Sequence, residues 1–188
     1  MTTFVYTNIN YNNIKNTTMT KFVIDSTHSE IGFKVKHMMF TNVSGKIEVY
    51  NASVEAENDT LENAKISFEG DTASISTGNE DRDNHLRSAD FFDAETYPKI
   101  TFTSTSFDPN GKLVGDLTIR GVSKPVTLDV DFGGIAKDPW GNTKLGLSLT
   151  GKISRKDWGL NWNSALETGG VLVGEEVKFD IELQFLKQ

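Results

Sequence analysis

The chain has 188 residues, enough for one domain that buries roughly 70% of its unfolded surface. Its net charge of −7 argues against a nucleic-acid backbone as partner, because that binding is driven by Lys and Arg neutralising phosphates. It contains no cysteine, which excludes disulfides, thiolate metal sites and thiol nucleophiles together. No apolar run reaches the ~18 residues that a membrane helix requires.

Met1 to Thr20 is rich in Asn and Thr and has no basic-then-apolar signal pattern, so it reads as a disordered leader to a single domain over 21–188, with a cytoplasmic location expected. Period-two alternation then begins. Ile31, Phe33 and Val35 oppose Lys34 and Lys36, as in a half-buried strand. Ile47 and Val49 keep odd positions, whereas Ala52, Val54 and Ala56 fall on even ones, and this slip predicts a bulge or bend near Tyr50-Asn51. Ile66 and Phe68 open another strand.

Thr77 to Phe102 breaks the alternation. It crowds Arg82, Asp83, His85 and Arg87 against Leu86, Phe91, Phe92 and Tyr97. Thr77 with Glu80 three residues on is a capping-box spacing, so a helical turn is expected from about Gly78 to Leu86 inside a plug near residues 78–92. Tyr97-Pro98 forces an extended exit. Alternation resumes at Ile100 and Phe102, and a turn follows at Asp108-Pro109-Asn110-Gly111. Leu113, Gly115, Leu117 and Ile119 make the next inward row, Gly121 to Pro125 reads as a short connection, and Val126 to Phe132 alternates again. Asp138 to Asn142 is a further turn, after which Leu145, Leu147, Leu149 and Ile153 face inward. The last strand is the clearest, with Val177, Phe179, Ile181, Leu183 and Phe185 against charged neighbours.

Strands of period two joined by short turns, with no long helical pattern, predict an all-β antiparallel sandwich or closed barrel. Closure removes the edges, and about eight strands leave room for side chains or one slender ligand. Gly115 and Gly151 on inward rows have two readings: relief of twist, or space left for a ligand.

Several segments in this order resemble one known family. They are I-D-S-T-H-S-E-I-G-F from Ile24, K-H-M-M-F from Lys36, R-D-N-H-L-R-S-A-D-F-F-D-A-E-T-Y-P-K-I-T-F from Arg82, G-D-L-T-I-R-G-V-S-K-P-V-T-L from Gly115, R-K-D-W-G-L from Arg155 and V-G-E-E-V-K-F-D-I-E-L from Val173. Over about Phe22 to Leu186 the chain is similar to the YceI-like proteins, lipocalin-like binders of polyisoprenoids. The resemblance implies an eight-stranded antiparallel barrel with a long apolar tunnel, usually dimeric, holding a polyisoprenoid or another long-chain lipid.

Candidate ligand contacts follow from the inward rows and the plug: His85, Arg87, Phe91, Phe92, Phe102, Leu117, Ile119, Leu147, Leu149, Trp158, Phe179 and Ile181. The plug's charges either pair with one another to hold the turn on the barrel, or Arg87 and His85 meet an anionic head group. Each isoprene unit adds several CH2 equivalents at ~0.8 kcal/mol, so a few buried units outweigh one head-group contact of roughly 1.5–3 kcal/mol. Two readings compete with lipid binding. One is a metal-dependent hydrolase using His28, His37 and His85, although these lack the close spacing of a zinc motif. The other is a stress-related structural or interaction protein. No serine lies in a nucleophile elbow, so no catalytic residue, metal or cofactor is expected.

Overall fold

The computed structural model describes residues 19–57, 61, 64–167 and 169–188. The leader therefore lies outside the described residues except for Met19 and Thr20. The strands are β1 (Thr20–Ile24), β2 (Glu30–His37), β3 (Thr41–Ile47), β4 (Tyr50–Ala56), β5 (Lys65–Asp71) and β6 (Ile75–Ser76), then β7 (Lys99–Phe107), β8 (Lys112–Ile119), β9 (Val122–Lys137), β10 (Thr143–Ser154) and β11 (Val173–Lys187). A single described α-helix, α1 (Glu80–Arg87), separates β6 from β7.

The sheet closes because the long β11 is partnered twice on one side. Its C-terminal end pairs with β1 (Ile24 opposite Phe185), and the rest pairs with β2, from Glu30 opposite Glu182 to His37 opposite Val173. β1 and β2 are thus one strand path bent in the middle. β3 beside β2 and β4 beside β1 form the return path. With each path counted once, eight antiparallel strands form a closed barrel.

The two bends have local chemical causes. At the first, the Asp25 carboxylate accepts from Lys144 Nζ (2.7 Å), Thr27 Oγ1 (2.6 Å) and Gln184 Nε2 (3.1 Å), and also meets His28 Nδ1 (3.0 Å). Ser29 Oγ donates to the Asp25 carbonyl and accepts from the Gln184 amide. The Ile24 to Ser29 motif is therefore a polar clasp that turns the chain while keeping its backbone groups bonded. These bonds, led by that from Lys144, hold the Asp25 carboxyl well below its usual range. The second bend lies at Glu48–Val49, two residues before the predicted slip, where the Val49 amide donates to Ser74 Oγ and Val49 is left 57% exposed.

Two local expectations change. The N-cap of α1 is Asn79, whose side chain accepts from the Arg82 amide, rather than Thr77. Thr77 instead donates from its amide and hydroxyl to Asp83, a stronger charged partner. The Gly121 to Pro125 connection shortens to a two-residue turn at Arg120-Gly121, since Val122 pairs with Ile119 and Pro125 with Asp116.

Candidate functional site

Inward residues are not equally buried along the barrel. On β11 Phe185 is 0% exposed and Leu183 8%, but Ile181, Phe179 and Val177 are only partly buried. β10 repeats this trend, from Leu145 (0%) through Leu149 (4%) to a partly buried Ile153. On β2 the order runs from a buried Ile31 to partly buried Phe33 and Val35. Register explains the agreement. Phe185 opposes Leu145 and Val177 opposes Ile153 and Val35, so the three strands lose burial toward the same end. One end of the barrel is solid, packed by Phe22, Val54, Leu145 and Phe185. The other is hollow.

The hollow is an apolar cavity of about 480 Å³. It reaches Phe185 of the solid end and is lined along its length by residues that include Phe33, Phe68, Phe102, Leu117, Leu149 and Phe179. Polar lining gathers at the far end, where Lys36, Asp81 and Arg82 are themselves exposed, so the cavity reaches the surface between β2 and α1. Gly115 and Gly151 are not part of this space. A Cβ on Gly115 would lie 2.4 Å from the Phe102 ring and one on Gly151 2.6 Å from Leu128, so each glycine admits a neighbouring side chain.

The plug forms the rim and its charges are spent internally. Asp83, 5% exposed, takes both Thr77 donors. Arg82 Nε donates to Thr77 Oγ1 at 2.7 Å. Arg87 donates to the Ala73 carbonyl (2.8 Å) and to Asn84 Oδ1 (2.7 Å). His85 Nε2 bonds Asp90 at 3.0 Å, and its ring stands edge-on to Trp162 and Phe91, with centroids 4.5 and 5.1 Å apart. This trio makes an aromatic sill on the cavity.

Of the residues expected from the sequence, His85, Phe91, Phe92, Phe102, Leu117, Ile119, Leu149, Phe179 and Ile181 line the cavity. Three do not. Arg87 is turned to Ala73 and Asn84, and Leu147, 2% exposed, belongs to the packed core. Trp158 is also 2% exposed, and its indole N–H donates to the Leu117 carbonyl at 3.0 Å. The three histidines do not assemble. His28 is bonded at the first bend, while His37 and His85 line the cavity, and among the described residues no group of three or more His, Asp or Glu is placed to hold a metal.

The candidate contacts omit Phe33, Val35 and Val177, which the alternation puts on inward rows, and Trp162, an aromatic expected in the core or at the rim; all four line the cavity, as does Arg155, which the sequence did not single out. Arg155 is 3% exposed and among the described residues makes no ion pair; its guanidinium instead donates to the carbonyls of Gly174 (2.8 Å), Val173 (3.3 Å) and Leu160. Burial pushes its pKa down, while the charge of Glu175 opposes that shift. The guanidinium ties the segment between β10 and β11 to the cavity rim. The β2 and β11 alternations already marked the aliphatic wall, but no sequence signal shows that an arginine will bond carbonyls rather than carboxylates.

A closed antiparallel barrel of eight strands, solid at one end and hollow at the other, defines a lipocalin-like barrel. The chain belongs to the YceI-like family, whose domain profile matches residues 22–185. It is 42% identical over 168 residues to the UPF0312 protein SA2479 of Staphylococcus aureus (strain N315), covering 89% of this chain and 98% of that protein. The crystal structure of the Campylobacter jejuni YCEI protein superposes with a TM-score of 0.69 at 36% identity, covering 88% of this chain and 96% of the other. A polyisoprenoid binding domain from Saccharophagus degradans shares the fold with a TM-score of 0.63 at 17% identity, covering 89% and 98%. Among the described residues no helix is long and apolar enough to cross a membrane.

Proposed function

We propose that the chain binds a polyisoprenoid or other long-chain lipid in this cavity, without catalysis, for carriage, storage or sequestration. The observation that carries the reading is the loss of burial along β2, β10 and β11: large apolar side chains point inward, pack against the core on one side and face the cavity on the other. At ~24 cal/mol per Å³ of unfilled core, a hollow of about 480 Å³ costs up to about 12 kcal/mol, with the open mouth making this an upper bound. That is comparable with the whole net stability of a domain, about 5–15 kcal/mol. An apolar occupant removes the cost, and the volume lies within the roughly 300–1,000 Å³ of small-molecule sites.

The lining sets the chemistry of the occupant. A wall of Phe, Leu, Ile and Val rewards hydrocarbon, while the plug's cations are already bonded within the protein, so affinity follows chain length more than head group. The polyisoprenoid named for the Saccharophagus domain makes a branched isoprenoid the first candidate. Titration with prenols of increasing length, followed by thermal unfolding, tests this. Tm is expected to rise with length until the cavity is full. Equal shifts for short and long prenols, or none, contradict the reading.

A further inference from the structure

Eight large hydrophobic residues stand exposed among those described, and four of them, Met38, Met39, Phe40 and Val171, are chain neighbours of the cavity-lining His37 and Leu172. Met38–Phe40 is the tip of the β2–β3 hairpin. Its backbone is joined to the segment before β11 by the Met38 amide donating to the Leu172 carbonyl at 2.8 Å. His37 and Leu172, flanking the tip, line the cavity, whereas Met38, Met39 and Phe40 do not. Phe40 is 80% exposed. The turn itself is strained: in the three-residue loop between the paired His37 and Thr41, Met38 and Met39 hold φ of 50° and 66°, a left-handed conformation that Gly and Asn favour and methionine does not. Water-facing methionines return nothing for that strain, and contact with an apolar phase does.

We infer that the Met38–Phe40 tip inserts into the surface of a neutral phospholipid bilayer with the cavity mouth turned toward it. Cargo then passes between bilayer and barrel without crossing water; only this transfer clause rests on the ligand reading above. Charge selects the kind of surface. Between Lys36 and Ser44 the hairpin carries one titratable side chain, His37, and the whole chain is at −7, so nothing here seeks an anionic leaflet. Size argues against a second copy as occupant: a protruding tip of three side chains falls far short of the roughly 1,200 Å² that a stable protein interface buries. It suits shallow insertion.

Flotation of the full chain with phosphatidylcholine vesicles tests the inference, with Met39→Ser/Phe40→Ser and, inside the barrel, Ile181→Trp as variants. The unaltered protein is expected to float, the tip variant to lose about tenfold in vesicle affinity, and Ile181→Trp to float unchanged. Met39→Asn, a residue that favours this backbone conformation, serves as a second tip variant whose folding is not in question, with a smaller loss in the same direction. The inference is overturned if the unaltered protein stays with the soluble fraction or if the tip variants float as it does. It is also overturned if light scattering shows that the tip variants dissociate a dimer while flotation is unchanged. Failure of the ligand reading looks different: an empty barrel that still floats.

Discussion

The two ends of the barrel are built from the same strands with the same alternation, yet they do different work. Phe22, Val54, Leu145 and Phe185 are wholly buried and pack into the core. A few residues further along the same strands, Phe33, Ile153, Val177 and Phe179 point inward into a cavity. The lesson is that inward orientation and packing are separate properties. Period two sets the first, while the second depends on whether opposing side chains reach one another across the barrel.

Substitutions at matched positions sharpen this contrast. The largest effect is expected for Phe185→Ala at the solid end, about 3–5 kcal/mol by denaturant unfolding. A loss below that of a cavity-wall residue would erase the distinction. Arg155→Met removes a buried cation from three carbonyls and is expected to cost roughly 2–4 kcal/mol, with faster amide exchange between Leu160 and Gly174. Stability loss without local exchange would contradict its role as a tie. Phe179→Ala in the hollow end should cost only about 1–2 kcal/mol in the empty protein, because the ring lacks partners on one side. Asp25→Asn is smaller, about 1 kcal/mol at neutral pH. The Asp25 carboxyl titrates below its ordinary 3.8 in the folded chain, so its contribution is complete above that value and disappears as pH falls below it. The variant should therefore show a flatter acid limb in stability against pH, and identical limbs would remove Asp25 from the account.

Much of the fold was legible in the residues. Strand after strand could be phased from its apolar alternation, and the β3–β4 bend announced itself as an odd-to-even slip within two residues of Glu48–Val49. The plug was visible as a break in that alternation. Its cap was not, because Thr77 and Asn79 are both capping types and only the folded geometry shows that Asp83 claims Thr77. At the site, Phe102, Phe179 and Ile181 followed from inward phase and Phe91 from the plug. Leu147 has the same phase but lies toward the solid end, and phase carries no information about depth. Trp158 was misplaced because its indole is drawn to the Leu117 carbonyl, a partner 41 residues away. Arg155 was missed for a related reason, its partners being backbone atoms, which every residue has.

Native mass spectrometry of the purified chain beside Ile181→Trp tests the central claim most directly. Ile181 lies on the cavity wall, and an indole there takes up the space a chain lipid needs. The account predicts a long-chain apolar molecule released from the unaltered protein and none from the variant, with circular dichroism unchanged between them. An unaltered protein that is empty after every preparation, and that takes up no prenol offered to it, would contradict the account.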